Sequence, residues 1–172
     1  MLDRRRFAMT ALAFTGLAAQ SRAVAGGMMA IDPGYGPLQS DPAGLIDLPP
    51  GFYYRIVSQL GDTMSDGLRV PDRADGMGCI KLDRGRIALV RNHELQPRHI
   101  ADGPLAVGAA VPDGTFDTVG DAAIPGGTTT LVLNPDTLAV EQQYLSLLGT
   151  IRNCAGGVTP WGSWLTCEES VD

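Results

Sequence analysis

The short stretch Asn153 to Glu169 of the 172-residue chain holds two of its three cysteines, both of its tryptophans and an adjacent pair of glutamates. A thiolate is a soft ligand and a carboxylate a hard one. A mixed shell of the two suits iron beside a hard cation. Cys154 sits in Asn-Cys-Ala-Gly-Gly, a turn-like context without bulky neighbours, where backbone can approach an ion closely. It is the candidate thiolate ligand. Cys167 alternates with Leu165 in a strand-like run and is expected in the core. Glu168 and Glu169 follow it and face opposite sides if the strand continues. They can serve two ions, or one ion and one structural partner. A solvated strand end is the plain alternative. Trp161 and Trp164 either wall such a site or pack between strands.

The cysteine count leaves alternatives open. Cys154 and Cys167 do not have zinc-ribbon spacing. In an exported protein two of Cys79, Cys154 and Cys167 could pair as a disulfide. The remaining thiol then needs burial or a metal to protect it.

The elements that must position these residues are short strands. Gly and Pro together make up 34 of 172 residues, and no long window has a helical period. That composition predicts a turn-rich, mostly β chain. Residues 52–57, Phe-Tyr-Tyr-Arg-Ile-Val, form a β-prone run. Residues 79–82 and 86–91 flank Asp83-Arg84-Gly85 as a hairpin, with Gly85 available for a positive φ. Residues 97–127 are rich in Gly, Pro, Ala and Asp and show no period. A second hairpin joins 128–133 to 138–148 through Asn134-Pro135-Asp136-Thr137, with Pro where a type I turn favours it. Residues 162–167 read as a last strand. "LDRGRIALVRNHE" and "VTPWGSWLTCEE" echo each other: a turn, a Gly, a β-run and a terminal acid. Repeated hairpins of this kind point to a β-propeller or another repeated all-β architecture. No strand is followed by a phosphate-binding Gly loop and a helix, so a parallel α/β fold is not expected.

The N-terminus reads as an address. Asp3-Arg4-Arg5-Arg6-Phe7, an apolar run from Ala8 to Ala19 and Ala23-Val24-Ala25 have the layout of a signal peptide over residues 1–25. The consecutive arginines followed by Phe make it a twin-arginine signal. The apolar run is too short to be a stable membrane span. Four of the 13 Lys and Arg and one of the 19 Asp and Glu fall in this leader. Residues 26–172 therefore carry 9 basic against 18 acidic groups, which argues against nucleic acid as a partner. Most of the acids are Asp in turn-like contexts, which suits calcium or simply solubility.

"DGMGCIKLDRGRIALVRNHE", "GGTTTLVLNPDTLAVEQQYLSLLGTIR" and "NCAGGVTPWGSWLTCEE" closely resemble the PhoX-type phosphatase family, from about Leu48 to the end of the chain. The resemblance implies a six-bladed β-propeller of the periplasm, or a secreted one, exported by the twin-arginine machinery. It implies hydrolysis of phosphomonoesters, as an alkaline phosphatase, at a centre of iron and calcium. Carried over, Cys154 and Glu168 or Glu169 lie at that metal centre. Glu94 of "RNHE" matches a recurrent family motif without an assigned role, and the role of Asn92 is likewise open. At about forty residues per blade, residues 26–172 cannot hold six blades. They are read as the N-terminal part of such a propeller, inactive alone, with further ligands and phosphate-binding residues elsewhere. Two alternatives stand beside the phosphatase: a non-catalytic exported calcium-binding propeller, and a propeller hydrolase of another substrate.

Overall fold

The computed structural model describes residues 34–170. The signal-peptide reading of residues 1–25 lies outside them. The chain divides into two compact units, Met1–Tyr54 and Arg55–Asp172.

The described part of the first unit is a loop organised by one carboxylate. Asp41 accepts the N–H groups of Ala43, Leu45 and Ile46 and the hydroxyl of Tyr54. These donors, the Tyr54 hydroxyl first, lower its pKa to about 2. The ring of Tyr35 meets that of Phe52 edge to face at 5.4 Å.

The second unit is all-β. It consists of β1 (Ala74–Lys81), β2 (Ile87–His93), β3 (Thr118–Val119), β4 (Ala122–Ala123), β5 (Gly126–Leu133), β6 (Val140–Thr150), β7 (Asn153–Val158) and β8 (Trp164–Glu168). The only helical pieces among the described residues are 3-10 turns at Asp83–Gly85 and Pro97–Asp102. An antiparallel four-stranded sheet runs β1-β2-β5-β6, and β3-β4 and β7-β8 form separate two-stranded sheets. β5 reads Gly-Gly-Thr-Thr-Thr-Leu-Val-Leu and is buried at every position. Its β-branched and apolar side chains suit a central strand paired on both edges. Leu131, Val132 and Leu133 form the core with Val90, Leu95, Leu148, Met64 and Val70.

The two expected hairpins are present, with longer strands β1, β2 and β5 and with β6 shifted two residues along the chain. At the first, Arg84 and Gly85 both take positive φ, 59° and 71°, so the turn uses more than its glycine. At the second, Asn134 Oδ1 accepts the N–H groups of Asp136 and Thr137 and fixes the turn from its first residue. The expected strand over 52–57 is absent. Phe52, Tyr53 and Ile56 are exposed, and no ladder receives their backbone. β propensity makes a strand only where a partner edge exists. Residues 97–125 contribute only the small β3-β4 hairpin and a 3-10 turn. An apolar hollow of about 170 Å³ between Leu105, Ala106, Pro125 and Leu148 lies in this excursion.

β7-β8 packs against β1 because β1 carries glycine there. A Cβ on Gly76 would strike the Cys154 carbonyl oxygen, and one on Gly78 would strike the Trp164 indole and, at 3.0 Å, a methyl of Val158. Both positions demand glycine for close approach.

Candidate metal centre

Antiparallel pairing gathers the chemistry at one end of the sheets. The end of β2, the start of β1, the start of β7 and the end of β8 all lie there, because Ala74 pairs with His93 and Asn153 with Glu168. Glu94, Asp75, Arg152, Cys154 and Glu169 flank these paired residues.

A buried polar relay joins the two sheets beneath this end. Asn92 is fully buried. Its Nδ2 donates to Ala155 O at 3.0 Å, and its Oδ1 accepts Trp164 Nε1–H and Thr166 Oγ1–H, both at 2.9 Å. Asn153, also fully buried, donates from Nδ2 to Thr166 Oγ1 at 3.0 Å and accepts the Thr150 hydroxyl at 2.6 Å. Trp164 thus packs between strands and anchors its N–H. His93 donates from Nδ1 to Asp72 O and accepts the Thr129 hydroxyl on Nε2, both at 2.9 Å. Both ring nitrogens are satisfied by the neutral tautomer. Burial, the largest cause, and neighbouring Arg91 lower its pKa to about 4, against the opposing pull of the Asp72 carbonyl, which favours the protonated ring.

Cys154 lies in a strand, not in the turn expected from its neighbours. Asn153 pairs with Glu168 and Ala155 with Cys167, so Cys154 is the extra residue of a β-bulge. A bulge re-aims a side chain out of the alternation. The Cys154 thiol is half-buried and points to the Cys167 carbonyl oxygen at 4.0 Å, with the Glu169 carboxylate in its neighbourhood. Partial burial raises its pKa, and so does Glu169, with Asp75 acting in the same direction.

The two glutamates part company. Glu168 Oε1 accepts the Ile151 N–H at 2.6 Å and ties the strand end to the backbone. Glu169 Oε2 accepts Arg152 Nη2–H at 2.8 Å. Of the two, Glu169 is the one beside the thiol, and Glu168 is the structural partner. Arg152 also donates from Nε and Nη2 to Glu94 Oε1, at 3.0 and 2.8 Å. Glu94, whose role sequence left open, is therefore the second arm of a carboxylate–guanidinium–carboxylate bridge. Hydrogen bonding to Glu94 is the largest cause that raises the Arg152 pKa.

Cys167 is exposed rather than in the core. β8 has one ladder partner, β7, among the described residues, so the face that carries Leu165 and Cys167 is uncovered. All three cysteines are free thiols.

The donor set fits a cation in its chemistry. Glu94 and Glu169 face one guanidinium, and a thiol under carboxylate pressure ionises readily only with a cation beside it. Among the described residues, no group of three or more His, Cys, Asp or Glu encloses an ion position. Cys154 and Glu169 are the two donors brought together. Among the described residues no helix is long and apolar enough to cross a membrane.

The chain shows no significant similarity to a curated protein or to a solved structure. The family model described as alkaline phosphatase PhoX matches residues 33–141 and 135–172, which together span the sheets, the relay and the bulged cysteine. The chain belongs to the PhoX alkaline phosphatase family.

Proposed function

We propose that this chain supplies part of the metal centre of an exported phosphatase that hydrolyses phosphomonoesters, with Cys154 and Glu169 as its ligands. The observation that carries the proposal is the bulge that sets Cys154 at the strand end where Glu168 and Glu169 lie, in a member of a phosphatase family. Thiolate and carboxylate together suit iron beside calcium. The bound ions would polarise phosphoryl oxygens and supply an oxygen nucleophile. The chain's own part is to hold donors from two sheets in register. Glu168 fixes the strand end to Ile151, Asn92 locks β7-β8 onto β2, Asn153 ties β7 to β8 and to Thr150, and Gly76 lets the Cys154 backbone approach β1. In this reading the β1-β2-β5-β6 meander is one propeller blade and β7-β8 begins the next, as in a six-bladed member reached through a twin-arginine signal over residues 1–25.

A second reading is a non-catalytic exported calcium-binding scaffold. The same experiment separates the two. In protein expressed from its gene and recovered from the periplasm, Cys154→Ser should abolish bound iron and phosphomonoester hydrolysis, while Cys167→Ser leaves both. Iron content in Cys154→Ser equal to that of the parent would end the ligand assignment. Calcium without iron, and without hydrolysis in the parent, would establish the scaffold.

A further inference from the structure

Among the described residues Arg91 is the one arginine or lysine that is buried, with 9% of its surface exposed. It lies on β2, opposite Met77 of β1 and Thr129 of β5. Strand alternation puts Arg91 and His93 on one face of the sheet and Asn92 on the other, so Arg91 stands apart from the relay that holds β7-β8. Its Nη2 donates to Ser58 Oγ at 3.0 Å and to Thr129 Oγ1 at 3.4 Å. Its Nε is buried and has no acceptor among the described residues.

A buried guanidinium ordinarily faces a carboxylate. The ion pairs among the described residues join Arg86 to Glu141 and Arg152 to Glu94 and Glu169, and Arg91 is in none of them. His93, on the same face, supplies no negative charge and spends both ring nitrogens on Asp72 and Thr129. The contacts of Arg91 are hydroxyls, which solvate a charge without neutralising it. An arginine does not shed its proton to escape burial. The positive charge therefore calls for an anion, and the surroundings restrict which one. One uncompensated charge asks for a single negative charge. The free Nε–H asks for an acceptor. β5 is buried at every position, which leaves space only for something small. Ser58 is half-buried and marks the way in, and its Oγ also accepts Gln143 Nε2–H at 2.7 Å.

We propose that Arg91, Ser58 and Gln143 form a binding site for a small monovalent anion of halide size, which accepts the Arg91 Nε–H and neutralises the guanidinium. The ion ties β2 and β6, the strands on either side of β5, to the segment that carries Ser58. The site is independent of the phosphatase reading and of any metal.

Chloride is the probe. In the whole protein expressed from its gene, chloride replaces methanesulfonate, a larger monoanion, at constant ionic strength and at about pH 8, where His93 stays neutral. Raising chloride from about 1 mM to about 200 mM should raise Tm by about 5 °C and then saturate. Arg91→Met, neutral and close in volume, should abolish that rise. Should Arg91→Met fail to fold, ³⁵Cl line broadening on folded protein decides, with Ser58→Ala as the variant. It keeps the guanidinium, loses one polar group at the entrance and should weaken chloride binding about fivefold. A parent whose Tm ignores the exchange of anions would overturn the proposal, and a neutral acceptor such as water would then serve Nε. An equal rise in Arg91→Met would place the chloride elsewhere and overturn it too, as would ³⁵Cl broadening that Ser58→Ala leaves unchanged.

Discussion

The hairpins β1-β2 and β7-β8 are built alike, and each ends its second strand on an acid, Glu94 in one and Glu168-Glu169 in the other. They differ in what surrounds that strand. β2 is paired on both edges, and its last residues, Asn92 and His93, are fully buried with each side-chain polar atom matched. β8 is paired on one edge among the described residues, and Leu165 and Trp161 are 64% and 80% exposed. In the first hairpin the polar residues are architecture, because buried polar groups persist only when satisfied. In the second, charge is left imperfectly balanced around a thiol, as at a site that acts on something else. The two terminal acids, Glu94 and Glu169, nevertheless meet on one guanidinium.

The sharpest way to break this contrast is at Asn92. Asn92→Ala removes three hydrogen bonds and leaves the Ala155 carbonyl and the Trp164 N–H without it, which should cost about 3–4 kcal/mol. Urea unfolding of the variant measures it. A loss below about 1 kcal/mol would mean that β7-β8 is not held by this relay.

His93 gives the next largest effect, through pH. Its folded pKa of about 4 lies below its ordinary value, so the unfolded chain takes up the proton first as pH falls. Stability is therefore complete above about pH 6.5 and declines toward pH 4, by an amount of order 3 kcal/mol. Melting temperature across that window should fall with acid, and His93→Gln should flatten the slope. An unchanged slope in the variant would assign the acid sensitivity elsewhere.

The smallest effect belongs to the open face. Leu165→Ser and Cys167→Ser should each change stability by no more than about 0.5 kcal/mol, as exposed positions do. A loss several times larger would show that this face is covered in the working protein, and would bring β8 closer to β2 in character.

Legibility in the sequence followed the same divide. The hairpins were readable because turn residues at Asp83-Arg84-Gly85 and Asn134-Pro135-Asp136-Thr137 and runs of β-branched residues carry local signals. Cys154 stood out by residue type, and Glu168 and Glu169 by adjacency. Which glutamate meets the thiol depends on a register shift and on Ile151, neither of which leaves a local mark. β7 itself was hidden, because Asn-Cys-Ala-Gly-Gly lacks the side chains that announce a strand. Its glycines serve close packing: a Cβ on Gly156 would meet the Leu165 carbonyl and the Trp164 ring. Glu94 and Arg152 are 58 residues apart, a pairing that only the fold creates.

The bulge at Cys154 makes the thiol's position a matter of counting. Every other residue of β7 is placed by pairing with β8, whereas Cys154 is placed by being one residue too many. Deleting a single glycine from Gly156-Gly157 would remove the extra residue on which the bulge depends, with every side chain that could bind an ion still encoded. The genetic change that abolishes this site most cleanly is therefore a one-codon deletion in the glycine pair. A lineage that shortens β7 by one residue would lose the bulged placement of the thiol while keeping each of its candidate ligands.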